Sequence, residues 1–379
     1  MRKQNLILAL LLILSVSVGP LASVSAQGEE EPQIRITQVD NSKFPNVTVY
    51  VSATNSAGEP VGIDPATIQL YENGQLMQLA DVKGGGEVVS GETIPVTTML
   101  VMDISGSMDK NDKLAAAKEA AKSYVSQLRA GDQAGVIAYD TQVYTIQPIT
   151  SDVAVLTSAI DGLKTGSDTA MYNALIEAQK ALENISGRKA IIVMTDGMDN
   201  KSQFNADDVI AGIGESGLTV SAIGFGDIGT NGQAGLNEVG LKSLAERAGG
   251  IYGFATDSEA LKGLYQQQSR VLQSEYQITF VSPSLIRDGI NRNLTVSLAD
   301  SAISTEGKYN PGGVLPEVTS RSWNIFVVVL LGLLALLFLP FLINLGSRTF
   351  DNSRRKLAAN RAMNNRTPQP AARGRIKLK

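Results

Sequence analysis

The stretch VTTMLVMDISGSMDK, Val96 to Lys110, decides the fold of the central part of the chain. Its first residues are β-branched or apolar and predict a buried strand that ends at Asp103. Two hydroxyl groups follow at once, on Ser105 and Ser107, with Gly106 between them. A carboxylate and two hydroxyls therefore share one short loop at the carboxyl end of a buried strand, where open parallel sheets bind their ligands.

Strand and helix patterns alternate along the chain after this loop. A second apolar strand, KAIIVMTD, ends at Asp196, and amphipathic helix patterns such as DKLAAAKEAAKSYVSQL and TAMYNALIEAQKALENI lie between the strands. Apolar strands separated by helices are typical of a mostly parallel sheet covered on both faces. Residues 95–274 are therefore predicted to form an α/β domain with a Rossmann-like, doubly wound, mostly parallel sheet.

Short strand patterns flank this domain on both sides. Residues 33–90 contain several, with Asn73-Gly74 as a two-residue hairpin signal, and residues 275–300 contain two more. Two strands alone cannot bury a face. We expect the returning strands to join the N-terminal ones in a small β-sandwich into which the α/β domain is inserted or which flanks it.

The N-terminus has the pattern of a secretory signal peptide over residues 1–26. A basic start at Arg2 and Lys3 precedes an apolar core, and Val24-Ser25-Ala26 form a small-residue cleavage site. The alternative is a buried N-terminal helix.

A second apolar run, residues 323–346, contains no charged residue and is long enough to span a bilayer. The tail at 347–379 carries ten Lys/Arg against one acidic residue, Asp351, which predicts a cytoplasmic tail. Residues 301–322 are then expected to form a stalk outside the cell. We expect a single-pass protein of the cell membrane; a buried core helix is the alternative for the apolar run.

Composition excludes several classes of function. The chain has no histidine and no cysteine, which removes disulfides, thiolate or imidazole metal ligands, and Ser-His or Cys-His catalysis. Without the signal peptide and tail, 21 Lys/Arg stand against 36 Asp/Glu, a net charge of −15. So acidic an ectodomain argues against nucleic acid as a partner, while the basic tail would lie against anionic lipid.

Five oxygen-bearing side chains are expected to converge at the carboxyl edge of the sheet. They come from three loops, and Thr169 opens a helix in GSDTAMYNAL. Oxygen donors without nitrogen or sulfur suit a hard cation, best Mg²⁺, with Mn²⁺ or Ca²⁺ as alternatives. The predicted metal ligands are Asp103, Ser105, Ser107, Thr169 and Asp196.

This pattern resembles the metal-ion-dependent adhesion site of von Willebrand factor type A domains, and the resemblance covers roughly Val96 to Ser274. It implies that Ser105, Ser107 and Thr169 contact the metal directly, whereas Asp103 and Asp196 act largely through water. The order of sandwich and domain resembles bacterial membrane-anchored members of the family. The alternative for the serine loop alone is a capped turn at the start of a helix.

The resemblance implies Mg²⁺-dependent protein binding in which an acidic residue of the partner completes the metal shell, with no enzymatic activity. The alternative is a scaffold subunit of a cell-envelope, secretion or pilus assembly. Two matches to G-x-G-x-x-G are better explained as turn glycines than as a dinucleotide site. Because the helix Glu259–Gln273 runs directly into the strand Tyr276–Phe280, we hypothesise that ligand binding moves this helix and pulls on the sandwich.

Overall fold

The computed structural model describes residues 32–85, 93–213, 217–226, 235–313 and 326–340. Met1–Glu317 form one compact unit and Val318–Lys379 a second. The predicted signal peptide (1–26) and basic tail (347–379) lie outside the described residues.

The described strands of the first unit form one β-sandwich and one larger sheet. The strands of the sandwich come from the beginning and the end of the unit, and the strands of the larger sheet lie between them in the sequence. In chain order they are β1 (Gln33–Asp40), β2 (Asn46–Thr54), β3 (Ile68–Glu72), β4 (Gln75–Leu76), β5 (Leu79–Gly84), β6 (Val96–Asp103), β7 (Gln133–Tyr139), β8 (Val143–Thr150), β9 (Arg188–Thr195), β10 (Thr219–Phe225), β11 (Gly249–Ala255), β12 (Tyr276–Val281), β13 (Arg292–Leu298) and β14 (Ser304–Tyr309).

The larger sheet has six strands in the order β11-β10-β9-β6-β7-β8. All neighbours are parallel except β8, which is antiparallel to β7. This confirms the predicted mixed α/β class with a mostly parallel sheet. The helices around it are α1 (Lys113–Val125), α2 (Val153–Asp161), α3 (Met171–Leu182), α4 (Ala206–Ala211), α5 (Glu238–Arg247) and α6 (Ser258–Gln273).

Helices cover both faces of this sheet because its central strands are apolar on both sides. In β6, Leu100 and Met102 belong to a buried cluster shared with α1, α2 and α6. The alternate residues Met99 and Val101 belong to a second cluster shared with α3, α4 and α5. Successive side chains of a strand point to opposite faces, so one uninterrupted apolar run supplies both cores.

Helix α2 is an element that the sequence analysis did not predict. Asp152 caps it by accepting hydrogen bonds from the N–H groups of Ala154 and Val155 at 2.9 and 3.1 Å. Leu156 and Ile160 are buried against the sheet. A correct N-cap and an i, i+4 apolar pair therefore fix a helix that has few polar residues.

The sandwich is made of two four-stranded sheets, β1-β2-β12-β5 and β14-β13-β3-β4. The α/β part enters after β5 and returns at β12, which lie side by side with Gly84 opposite Tyr276. Asn73 and Gly74, both with positive φ, form the predicted hairpin between β3 and β4. The sequence analysis assigned residues 301–322 to a stalk. Within this range Ser304–Tyr309 instead form strand β14, which pairs with β13.

The predicted membrane span, residues 323–346, is only partly described. Residues 326–340 are helical, and the rest of the run lies outside the described residues. Within the part of the chain that the structure describes, no helix is both long and apolar enough to cross a membrane.

The sandwich contacts the amino edge of the six-stranded sheet through β1. The hydroxyl of Thr219, at the start of β10, donates to the carbonyl of Thr37 at 2.8 Å. Gln38 donates to the carbonyl of Gly187, just before β9, at 2.9 Å. The carboxyl edge, where β6 ends at Asp103, therefore faces away from the sandwich.

Candidate metal centre

The two strand ends that carry the predicted carboxylates are neighbours. β6 and β9 pair in parallel, with Met102 opposite Met194, so Asp103 and Thr195 end adjacent strands and Asp196 follows at the same edge. The sheet register thus brings together residues that are 93 positions apart in the sequence.

Hydrogen bonds join the serine loop to Asp196. The hydroxyl of Ser107 donates to Oδ1 of Asp196 at 2.6 Å, and the hydroxyls of Ser105 and Ser107 lie 3.1 Å apart. Ser105 and Asp196 are buried and Ser107 is half-buried, so the cluster is only partly accessible to bulk water. Hydrogen-bonding distances thus join the side chains of three of the five predicted ligands, Ser105, Ser107 and Asp196.

Asp103 lies beneath this cluster and braces the loop. Its Oδ1 accepts the N–H of Ser105 at 2.8 Å and its Oδ2 accepts the hydroxyl of Thr195 at 2.7 Å. Burial raises the pKa of Asp103 to about 6; the hydrogen bonds from Ser105 and Thr195 oppose this rise, and the negative charge of Asp196 adds to it. Both carboxylate oxygens are thus engaged in holding the loop and the end of β9.

Thr169 lies on a loop that is hydrogen-bonded to the serine loop. The N–H of Gly106 donates to the carbonyl of Ser167 at 2.7 Å, and a Cβ at residue 106 would lie only 3.3 Å from that oxygen. Thr169 itself is buried, and its N–H donates to Oδ1 of Asn200 at 3.1 Å. The described hydrogen bonds of Thr169 all run through its backbone, so among the described residues its hydroxyl is not hydrogen-bonded to the other four predicted ligands.

Lys113 is a member of the site that the sequence analysis missed. Its Nζ lies 2.7 Å from Oδ2 of Asp196, whose side chain is fully buried, while the lysine side chain is 18% exposed. The lysine passes over Gly226, where an added Cβ would meet Nζ at 3.0 Å. Asp196 therefore already has a positive partner, supplied by the first residue of α1.

A cleft of about 680 Å³ opens beside Lys113 between the beginnings of α1 and α6. Phe225 and Gly226 line its wall next to the cluster, and Asp257 and Ser258 line it from the α6 side. The cleft thus adjoins Lys113, but none of the five predicted ligands is among the residues that line it.

The donor chemistry fits a hard divalent cation. Ser105 and Ser107 offer hydroxyl oxygens and Asp196 a carboxylate, which are the kinds of donor that Mg²⁺ binds alongside retained waters. Among the described residues, no cluster of three or more His, Cys, Asp or Glu side chains is arranged to hold a metal. An ion here would therefore depend on the serine hydroxyls, and it would compete with the ammonium group of Lys113.

Comparison with known proteins supports a family for the central part of the chain. Residues 98–198 match the family model described as von Willebrand factor type A domain. A UPF0353 protein of Nocardia farcinica is 26% identical over 257 residues, which cover 59% of this chain and 76% of the relative. A UPF0353 protein of Mycobacterium leprae is 30% identical over 203 residues, covering 45% and 59% of the two chains.

Among solved structures, von Willebrand factor type A from Catenulispora acidiphila is similar over 73% of this chain and 72% of its own, with 18% identity and a TM-score of 0.44. Residues 98–198, the range that matches the von Willebrand factor type A model, include all five predicted ligands: Asp103, Ser105, Ser107, Thr169 and Asp196.

Proposed function

We propose that the protein is a Mg²⁺-dependent protein-binding module and not an enzyme. In this proposal Ser105, Ser107 and Thr169 hold the ion directly, and Asp103 and Asp196 hold it largely through water. Mn²⁺ and Ca²⁺ are the alternative ions. The domain would lie outside the cell, anchored by the apolar run at residues 323–346.

The observation that carries this proposal is the hydrogen bond between Ser107 and Asp196. It joins the loop after β6 to the residue after β9, so two strand ends contribute oxygens to one cluster. A helix cap alone would not require this contact, and Ser105 makes no side-chain cap to the helical turn that follows it. The match to a von Willebrand factor type A domain supports the same interpretation.

The partner's contribution follows from charge. An ion bound by hydroxyl oxygens and by carboxylates that act through water keeps much of its positive charge. It would attract a carboxylate from a protein partner. The protein would then bind only partners that present an accessible Asp or Glu.

The first test is binding of the metal alone. We expect Mg²⁺ to raise the thermal unfolding temperature of the full chain, and Ser107→Ala to abolish that rise. Ser158→Ala, on the exposed side of α2, is the matched control and should keep it. A Mg²⁺ effect of equal size in Ser107→Ala would show that the cluster does not hold the ion.

The second test is capture of partners. Full-length protein in detergent is incubated with envelope extract of its own source and with extracellular matrix proteins, with Mg²⁺ or with EDTA. Capture of a matrix or foreign surface protein only with Mg²⁺ supports an adhesion role. Capture of an envelope component on the same terms favours the scaffold alternative, and capture indifferent to EDTA and to Ser107→Ala contradicts both.

A further inference from the structure

The loop between β12 and β13, residues 283–291, exposes three large apolar side chains. Leu285, Ile286 and Ile290 are 68%, 71% and 64% exposed. Val281, at the end of β12, adds a fourth that is 49% exposed. Single exposed apolar residues are ordinary on protein surfaces, but a group of this kind in one loop marks an interaction surface.

The polar groups of the same loop are turned towards the sandwich. Arg287 donates to the carbonyl of Pro311 at 2.6 Å, and Arg292 donates to the carbonyl of Ile286 at 3.0 Å. The N–H of Gly289 donates to the carbonyl of Gly312 at 2.9 Å. Because the backbone is held in this way, the apolar side chains face outward as part of a defined loop conformation.

The loop lies at the end of the sandwich that is remote from the metal cluster. β12 begins next to α6 and runs away from it to Val281, where the loop starts. The turn between β1 and β2 lies at the same end, since Arg287 also donates to the carbonyl of Asn41. The apolar group therefore lies on the sandwich, which contacts the amino edge of the six-stranded sheet, whereas the candidate metal centre lies at the carboxyl edge.

The chain leaves the sandwich beside this loop. Gly313 forms a β-bridge with Asp288 and is the last described residue before the second unit. Ten residues later the uncharged apolar run begins at Trp323. Ten residues reach at most about 36 Å, so the loop is tethered close to wherever this run resides.

We propose that residues 283–291 insert into the interface of the lipid bilayer, with Leu285, Ile286 and Ile290 buried among the acyl chains. This inference rests on the proposed membrane anchoring of residues 323–346. Insertion of apolar side chains to a depth of about 5–10 Å is how interfacial segments bind membranes. It would hold the sandwich against the membrane.

Apolar burial, not charge, drives this contact. Asp288 balances Arg287 within the loop, and the ectodomain as a whole is acidic with a net charge of −15. The loop itself therefore carries no net charge that would attract anionic lipid. Insertion should persist in zwitterionic lipid and at high salt, which a basic surface would not tolerate.

The absence of cysteine from the chain makes site-specific labelling straightforward. The full-length protein is prepared as single-cysteine variants Ile286→Cys and Ile290→Cys, labelled with an environment-sensitive fluorophore and reconstituted into phosphatidylcholine vesicles with or without doxyl-labelled lipid. Val239→Cys, at a residue 81% exposed in α5, is the matched surface control. Leu334→Cys reports separately on the apolar run.

We expect blue-shifted emission and loss of most of the fluorescence to doxyl lipid at 286 and 290, with no change at 239. Adding Leu285→Asp to the 286 reporter should restore its unquenched emission. Quenching at 334 but not at 286 or 290 overturns the loop proposal and leaves anchoring intact; no quenching at any of the three overturns both. A blue shift without lipid quenching that grows with protein concentration identifies a second copy as the occupant and also overturns the proposal. The proposed metal function is read from Mg²⁺-dependent unfolding and is independent of these outcomes.

Discussion

Replacing Lys113 by methionine should make the protein bind Mg²⁺ more tightly. The ammonium group of Lys113 lies 2.7 Å from Oδ2 of Asp196 and compensates its buried negative charge. A divalent cation at the same cluster would take over that compensation and repel the ammonium group. The lysine therefore stabilises the metal-free form relative to the metal-bound one, and its removal shifts the balance towards binding.

The size of the effect follows from the burial of the pair. Removing one partner of a fully buried ion pair costs about 3–5 kcal/mol. Lys113 is 18% exposed and its charge is partly hydrated, so we take roughly half, about 2 kcal/mol. Without metal, Lys113→Met loses this stabilisation of Asp196. With metal bound, the ion compensates the charge of Asp196 and the loss disappears. Apparent affinity for Mg²⁺ should thus rise roughly 30-fold, since about 1.4 kcal/mol corresponds to a factor of ten.

Thermal unfolding of the full chain over a Mg²⁺ titration measures this directly. Lys113→Met should unfold at a lower temperature than the native protein in EDTA and should show a half-maximal response at a lower Mg²⁺ concentration. Lys110→Met removes the same charge from an exposed position on the serine loop and is the matched control. An unchanged or weaker Mg²⁺ response in Lys113→Met would refute the competition between lysine and metal.

Three further changes test other parts of the structure. Thr195→Val should lower stability by about 1–3 kcal/mol in urea unfolding, because it leaves Oδ2 of buried Asp103 without its donor; a neutral result would mean that this bond does not brace the loop. Asp152→Ala should cost about 1 kcal/mol by removing the N-cap of α2, whereas Asp152→Asn should cost much less; equal losses would point to charge instead of capping. Gly217→Ala should destabilise the contact between sandwich and sheet, because φ is +58° and the added Cβ would lie 2.4 Å from the carbonyl of Val39; Gly187→Ala, also at positive φ but with open space around it, separates backbone strain from the clash.

The parts of the site that lie at strand ends are predictable from sequence. An apolar strand that stops at a carboxylate is visible in the stretches ending at Asp103 and Asp196, and parallel pairing then places both at one edge. The Lys113 contact is not visible, because it depends on the rotation of α1 about its axis and on the close approach that Gly226 permits. Nothing in the local pattern of DKLAAAK distinguishes this lysine from one on a solvated face.

Helix α2 and strand β14 were not predicted because tertiary contacts, more than their local sequence patterns, determine their structures. The run VAVLTSAID reads equally as strand or helix from its apolar content, and the Asp152 cap and the burial of Leu156 and Ile160 decide for a helix. β14, STEGKY, has almost no apolar side chain, so it carries no strand signal of its own. It forms because the edge of β13 offers unpaired backbone groups over six residues. Pairing with an existing edge is a tertiary effect that a residue-by-residue pattern cannot report.

The junction between α6 and β12 argues against a freely moving helix. Glu275 links the two elements, and both of its oxygens accept hydrogen bonds from buried Arg188 at the start of β9. Arg188 also donates to Gln38 of the sandwich at 3.0 Å, and Arg129 donates to the carbonyl of Gln273 at 3.0 Å. Displacing the end of α6 would break a buried ion pair, which costs about 3–5 kcal/mol. That is more than the coupling energies of about 1–3 kcal/mol that are typical between two sites.

The helix movement expected from the sequence should therefore be confined to the beginning of α6, next to the cleft. Hydrogen exchange on the full chain tests this: Mg²⁺ should change exchange near Ser258 and leave residues 266–273 unchanged. In Glu275→Gln, which weakens the pair, the response should spread to the end of the helix. A Mg²⁺-induced change in exchange at residues 266–273 of the native protein would show that ligand binding breaks the ion pair. The conformational change would then extend from α6 to the sandwich.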